Sequence, residues 1–396
     1  MGPVEIEGYG HGGLGVARLD GKVHFVEGAI PGDVVTIEVT RDRPRWARAT
    51  VAEVVAPGPD RRVPPCPHAG TCGGCDLQHA TESAQRRWKR GVVAEQLARL
   101  GGVADPPVAE TVVPGPDLGY RNRMDFAVLG GRPALRRRSS HDLVPLEVCL
   151  LLAPPLADLF DRLGDLEHAT GLTLRAGLAT GERLAVVDGP VPASAADWGV
   201  PICRATDRGV EPWLGRDHLH EEVAGHRLRI TGKAFFQTNT AGAEALVAAV
   251  ADAVTGRSGT LLDLYAGGGL FAATVGPGFD RVVAVEVDRV AVADLHHNLA
   301  DSGAEVHAGR VEDVPLSGSG RVTAVVDPPR RGLGRDGVAS VLSASPDRIV
   351  HVACDPASLG RDVGLLAEAG YRLASVTPID LFPQTHHVEA VAVLDR

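Results

Sequence analysis

The chain has 396 residues, 44% of them hydrophobic and 23% charged, and a formal net charge of −10. At about 100–200 residues per domain this length implies two or three domains, and the composition excludes a disordered chain. No apolar run reaches the ~18 residues of a membrane helix, the first residues lack the basic and apolar regions of a secretory signal, and six cysteines are too few for a disulfide scaffold. A cytoplasmic protein with reduced thiols and no membrane partner is expected.

Residues 4–56 read as a small β module. Short alternating stretches at 23–26, 34–39 and 49–55 are split by turns such as Gly12-Gly13 and Pro31-Gly32. That punctuation suggests an OB-type barrel, a fold that often binds single-stranded nucleic acid. A proline-rich link (Pro57, Pro59, Pro64, Pro65, Pro67) leads to a cysteine cluster. Residues 82–100 have helical periodicity through Trp88, Val92 and Leu97. Residues 120–230 are expected to form an α+β domain, with strand-like runs at 124–128 and 184–187. From about residue 232 the pattern alternates. Strands at 260–264, 281–285, near Val306, 322–326 and 348–353 are interleaved with helices at 241–254, 290–300, 338–343 and 359–369. Two last strands, 372–377 and 388–394, are joined by a turn. This predicts a doubly wound, mostly parallel sheet with an antiparallel hairpin at one edge, the ending typical of class I methyltransferases.

The acidic net charge argues against a nucleic-acid partner, but two stretches are basic. Arg86, Arg87, Lys89, Arg90 and Arg99 outweigh Glu95; Arg121, Arg123, Arg132, Arg136, Arg137 and Arg138 outweigh Asp125. Either is a solvated face or a phosphate-binding groove. With three lysines in the whole chain, arginine abundance by itself carries no functional weight.

Five motifs carry chemistry. Residues 263–271 (DLYAGGGLF) put a glycine loop after a buried strand, and Glu286 ends the next strand, where an acid can accept from ribose hydroxyls. A plain strand-to-helix turn is the bland alternative, and a P-loop is excluded. Residues 327–333 (DPPRRGL) make a rigid turn; Arg330 offers no aromatic face, which argues against methylation of an exocyclic amine. Cys354 precedes a helix start near Ser358, a place that favours a thiolate nucleophile over a packing cysteine. In 380–389 (DLFPQTHHVE), Glu389 is a candidate base, and His386 and His387 are base or RNA candidates or turn polar groups. Cys66, Cys72 and Cys75, with Cys149 far downstream, suit an iron–sulfur cluster or a zinc site. Cys203 is expected in the core, and His218, His220 and His226 on a solvated stretch.

Together these segments resemble the RNA uridine-5 methyltransferase family, in the branch with a TRAM domain and an iron–sulfur cluster that resembles 23S rRNA uracil-5-methyltransferases. The carriers are 12–32 (GGLGVARLDGKVHFVEGAIPG), 66–78 (CPHAGTCGGCDLQ) with Cys149, 235–239 (FFQTN), 263–271, 327–333, 354–356 and 382–389, in family order. The resemblance implies an α/β class I (Rossmann-like) methyltransferase at 231–396, an OB-like TRAM barrel at 1–58 and a central α+β iron–sulfur domain at 59–230. It places S-adenosyl-L-methionine contacts on Gln237, Tyr265, Glu286 and Asp327, the nucleophile on Cys354, the base on Glu389, and 4Fe–4S ligands on Cys66, Cys72, Cys75 and Cys149. The implied partner is RNA, ribosomal rather than transfer RNA. The rivals are a transfer-RNA uridine-5 enzyme, a cytosine-5 or amine methyltransferase on RNA, and a non-catalytic iron–sulfur RNA-binding or redox-sensing protein. Two departures stand out: Ala266 where the family often has Cys, and Asp355 where it usually has Asn. A carboxylate beside Cys354 raises the thiol's pKa.

Overall fold

The computed structural model describes residues 3–396; the first two residues of the expected barrel domain lie outside it. Six strands, β1 (Val4–Glu5), β2 (Gly8–Gly10), β3 (Leu14–Leu19), β4 (Lys22–Glu27), β5 (Val34–Asp42) and β6 (Trp46–Ala56), form the first sheet, in the order β1-β5-β6-β4-β3-β2. β1 and β2 are halves of one bent segment. Val4 and Glu5 pair with β5, and Gly8 to Gly10 pair with β3, so the segment joins both ends of the sheet and closes a barrel. Alternate residues point inward, among them Ala17, Val26, Val35, Ile37 and Ala49. β3 escaped the sequence pattern because Gly15 replaces an inward side chain: a Cβ there would meet Ala29 O at 2.8 Å.

Helix α1 (Glu82–Gly101) ends at Gly102, whose φ of 69° closes the helix in the left-handed region. A second sheet follows, in the order β13-β12-β11-β10-β7-β8-β9. Its strands are β7 (Arg123–Leu129), β8 (Arg132–Arg136), β9 (Leu143–Pro145), β10 (Gly171–Ala176), β11 (Arg183–Asp188), β12 (Ile202–Thr206) and β13 (Gly209–Leu214). Short α2 (Pro154–Phe160) packs on it through Leu156, Leu159 and Phe160. A two-stranded hairpin, β14 (His218–Val223) and β15 (His226–Thr231), buries Leu219, Val223, Leu228 and Ile230 in the core shared with the C-terminal region.

The C-terminal sheet has the order β18-β17-β16-β19-β20-β22-β21. Its parallel strands are β16 (Thr260–Leu264), β17 (Arg281–Glu286), β18 (Glu305–Ala308), β19 (Val322–Val326) and β20 (Arg348–Ala353); β21 (Arg372–Ile379) and β22 (Glu389–Asp395) are antiparallel. β16 and β19 are buried throughout, the pattern of strands covered on both faces. The helices are α3 (Thr240–Val254), α4 (Leu270–Thr274), α5 (Arg289–Asn298), α6 (Gly334–Ser343) and α7 (Pro356–Glu368). The expected hairpin is present, but β22 inserts between β20 and β21.

α1 packs against α7: Val93 and Leu97 join Leu359, Val363 and Leu366 in one core. The approach is close, since a Cβ on Gly360 would meet Gln96 O at 2.6 Å. Lys89 of α1, expected in a basic stretch, is buried and paired with Asp380, and Arg86 is held by Asp117. Lys89 is therefore not part of a solvated basic face.

Candidate active site

The chemistry-bearing residues collect at one sheet edge because of strand direction. In a parallel sheet the loops after the strands share the carboxyl edge. β16 leads into Tyr265, β17 ends at Glu286, Asp327 follows β19 and Cys354 follows β20. β22 runs the other way, so its first residue reaches the same edge. Ala353 pairs with Ala390, which sets Glu389 opposite Cys354. Inversion of one strand thus brings a carboxylate and a thiol together.

This edge opens into a cavity of about 630 Å³ lined by Gln237, Tyr265, Glu286, Asp327, Cys354 and Glu389, together with Phe235, Phe382, Arg121 and Arg330. All six residues singled out in the sequence for this region meet there. Gln237 is held from behind: Asn122 Nδ2 donates to its carbonyl (3.2 Å) and to Thr240 Oγ1 (2.9 Å). Tyr265 has φ +63°, a strained conformation for a bulky side chain and one that marks functional turns. Gly269 has φ +90°, a conformation strained for any other residue, and a Cβ there would also displace Leu295 Cδ1. The Glu286 carboxylate accepts from Gly267 N (2.8 Å) on one oxygen and from Val287 N (2.8 Å) and Asp288 N (2.7 Å) on the other, so it knits two loops together.

Negative charge is concentrated around this cavity. Asp263 is buried beneath it; Ala272 N donates to one oxygen, while the other has no hydrogen-bond partner among the described residues. Burial pushes Asp263 up to about 7, with Glu286 adding to the shift. Burial and the charges of Asp263 and Glu286 raise Asp327 to about 7. Burial and Asp327 raise Glu389 to about 8 against the pull of Arg330. Burial, then Glu389 and Asp327, push the Cys354 thiol up to about 12; Arg330 opposes and Asp355 adds. Acidic groups therefore gather at this edge with their protons held by burial, while Arg121, Arg310, Arg330 and Arg331 also line the cavity.

Asp355 caps α7 by accepting from Ser358 N at 2.7 Å, which a family Asn side chain could also do. Its other oxygen is 3.0 Å from His11 Nε2 of the barrel. Burial would raise this carboxyl, but the His11 and Ser358 hydrogen bonds outweigh it and hold it at about 2. No sequence pattern marked His11.

The loop from Asp380 to Val388, which delivers Glu389, is clamped from two sides. Lys89 binds Asp380 and Phe382 O, Gln85 donates to Gln384 Oε1, and Tyr120 donates to Pro383 O. Asp76, next to Cys75, accepts from His386 N at 2.8 Å and pairs with the His386 ring. Burial, with His386 and Arg330 beside it, lowers His387 to about 3, so its ring is neutral. His218 pairs with Asp217 and His220 with Glu182. Cys203 is fully buried in the core, as expected.

Cys66, Cys72, Cys75 and Cys149 line a separate cavity of about 260 Å³ with Leu135, Leu146 and Leu151. Gly73 admits the loop to β8, since a Cβ would meet Arg136 O at 2.9 Å. Burial pushes Cys75 up to about 12 and raises Cys72 and Cys149; neighbouring thiols add to all three. Among the described residues no three His, Cys, Asp or Glu side chains are grouped for one metal ion.

Residues 201–396 match the family described as tRNA (uracil-5-)-methyltransferase, and residues 3–52 match the TRAM domain. A Streptomyces avermitilis protein described as an uncharacterized RNA methyltransferase is 36% identical, covering 99% of this chain and 97% of its own length. A Streptomyces coelicolor protein of the same description is 37% identical over 99% of this chain and 92% of its own. In structure the chain is similar to Pyrococcus abyssi tRNA (uracil-54, C5)-methyltransferase in complex with S-adenosyl-L-homocysteine: TM-score 0.79, 26% identity, 99% of this chain and 100% of that one covered. Agreement over the full length, with the thiol and carboxylate facing one cavity, places this chain in the RNA uracil-5-methyltransferase family, with an N-terminal TRAM barrel.

Proposed function

We propose that this enzyme methylates carbon 5 of a uridine in RNA through a transient bond between Cys354 and carbon 6 of the base. The observation that carries this reading is the facing of Cys354 and Glu389 across the edge of the large acidic cavity. S-Adenosyl-L-methionine supplies an electrophilic methyl group on a positively charged sulfur. Gln237, Tyr265, Glu286 and Asp327 are assigned to hold it: the acids suit its positive charge, and Glu286 suits its ribose hydroxyls.

Carbon 5 of uracil is too weak a nucleophile to take a methyl group unaided. Cys354 Sγ attacks carbon 6, and the electrons of the 5,6 double bond move into an enolate. Carbon 5 then takes the methyl group. Glu389 removes the proton left on carbon 5; the double bond re-forms as the bond from carbon 6 to sulfur breaks, releasing the thiolate. Without a ligand, Cys354 is a thiol and Glu389 is mostly protonated at neutral pH. A positive charge in the cavity favours the ionised form of both.

The target base must leave its stack to expose carbon 6. A groove lined by Arg48, Arg136, Arg137 and Arg138 runs between barrel and central sheet to His386, a path suited to phosphates. The barrel and cysteine set favour a ribosomal RNA target. The likeness to a tRNA methyltransferase favours transfer RNA as the second reading.

We assign Cys66, Cys72, Cys75 and Cys149 to a 4Fe–4S cluster. Thiolates on a single zinc stand within about 4 Å of one another; a cluster takes each thiolate on a different iron, around a space of its own. The four thiols line one shared cavity, which leaves room for a group between them. Methyl transfer consumes no electrons, so the group's role is to organise the central domain. The function is tested by deleting the gene and mapping 5-methyluridine in ribosomal and transfer RNA. Loss of one such residue is expected, and its RNA identifies the substrate; an unchanged map contradicts the reading.

A further inference from the structure

A barrel residue takes part in the active site. His11 lies on the turn between β2 and β3, and its Nε2 is 3.0 Å from Asp355 Oδ2. That turn also walls a small cavity of about 90 Å³ shared with Cys354, Asp355, Arg330 and His387. The fit is tight: a Cβ on Gly13 would meet His386 Cβ at 2.9 Å. Asp355 cannot swing away from the thiol, because Ser358 N holds its Oδ1 at 2.7 Å.

Cys354 faces charge from every element packed around it. Glu389 comes from β22, Asp327 and Arg330 from the turn after β19, and Asp355 from the start of α7. Tyr9 and His11 of the barrel, Lys89 of α1, and His386 and His387 of the last loop line the adjoining cavity. Lys89 is committed to Asp380 and His386 to Asp76. Three carboxyl groups therefore surround position 354; burial raises Asp327 to about 7 and Glu389 to about 8, whereas Asp355, held at about 2, stays a carboxylate across the neutral range. One of them, Asp355, is hydrogen-bonded to an imidazole that can carry the countercharge.

We propose that His11 is a positioning residue that acts on Cys354 through Asp355: in its protonated form it offsets the carboxylate beside the nucleophile, so that docking of the barrel turn becomes a condition of thiolate formation. The proposal rests on the reading of Cys354 as the nucleophile. It also explains how this chain works with Asp355 where the family usually has a neutral Asn.

The test is the rate of Cys354 alkylation by iodoacetamide between pH 6 and about 9, followed by mass spectrometry of its peptide in the intact protein; such a rate tracks the thiolate fraction. His11→Gln is expected to slow it about three- to tenfold near pH 6.5, as loss of one partly solvated countercharge implies. A purely structural contact would slow alkylation whatever residue stands at 355, so rescue by removal of the Asp355 charge is the readout that separates the two. Asp355→Asn in the His11→Gln background should restore the wild-type rate or exceed it. An unchanged rate in His11→Gln, or no rescue by Asp355→Asn, overturns the proposal. Should His11→Gln fail to fold, Asp355→Asn alone decides: alkylation as fast as wild type or faster supports the proposal, and slower alkylation overturns it. Alkylation needs neither RNA nor methyl donor. Absence of an RNA adduct in wild type would instead sink the nucleophile assignment itself.

Discussion

At the scale of single residues, the proposed mechanism rests on a thiol and a carboxyl group that burial has pushed away from their ionised forms. Cys354→Ala is expected to abolish both methylation and any covalent RNA complex, measured by methyl incorporation and denaturing gels. Glu389→Gln should still transfer the methyl group but retain the RNA adduct, because no base removes the last proton. The same carboxyl has a stability consequence. Its folded pKa of about 8 is above the ordinary carboxylate value of 4.5. Between those values the folded protein keeps a proton that the unfolded chain has released, so stability falls as pH rises through this window. Glu389→Gln should remove that slope, and its advantage over wild type should grow from pH 4.5 to about 8, reaching a few kcal/mol, in thermal melts across pH. Tyr265, Glu286, Asp327 and Cys354 were legible in the sequence because each ends or follows a parallel strand within a recognisable motif, and Glu389 because it opens the last strand. His11 and Lys89 were not, since their partners Asp355 and Asp380 lie 344 and 291 positions away. Nothing local tells a buried lysine from a solvated one.

At the scale of elements, the last hairpin and helix α1 decide the geometry. Reversal of β22 carries Glu389 to the catalytic edge, and α1 supports the loop that feeds it. Lys89→Met should leave the Asp380 carboxylate buried without its partner, costing about 3–5 kcal/mol. Adding Asp380→Asn should recover much of that loss in denaturant unfolding. The alternating strands and helices after residue 240 were readable because fully buried parallel strands give continuous apolar runs between helices of clear periodicity. Much of the central sheet was not. β10 is buried along its whole length yet includes Thr173 and Arg175, whose polarity hides the strand. Arg175 is tolerated inside because its guanidinium donates to the carbonyls of Thr231, Gly232 and Ala234. β14 and β15 were likewise masked by His218, His220 and His226, whose polarity reads as a solvated stretch but which sit on a paired hairpin.

At the scale of the whole molecule, the regions are interlocked around the catalytic edge. The barrel turn reaches Asp355, α1 packs on α7, and the cysteine loop holds the 380–388 segment through Asp76 and Gln384. The cysteine cavity therefore supports the loop that ends at Glu389. Purified without oxygen, the protein is expected to be brown with four irons per chain; Cys72→Ser should lose the colour and melt earlier. A colourless, zinc-loaded and active wild type would remove the cluster. In the groove beside the barrel, replacing Arg136 and Arg137 together by Ala should weaken RNA binding and lower the slope of log K against log salt by about 1.4 to 1.8, as expected for two lost phosphate contacts. The covalent step is tested most directly with RNA bearing 5-fluorouridine at the target, incubated with enzyme and methyl donor. Fluorine leaves carbon 5 without a proton for Glu389 to remove, so wild type should form a methylated RNA–protein complex stable to denaturation and attached at Cys354, whereas Cys354→Ala should form none. A complex that persists in Cys354→Ala, or steady methylation of unmodified uridine by that variant, would contradict attack by this sulfur.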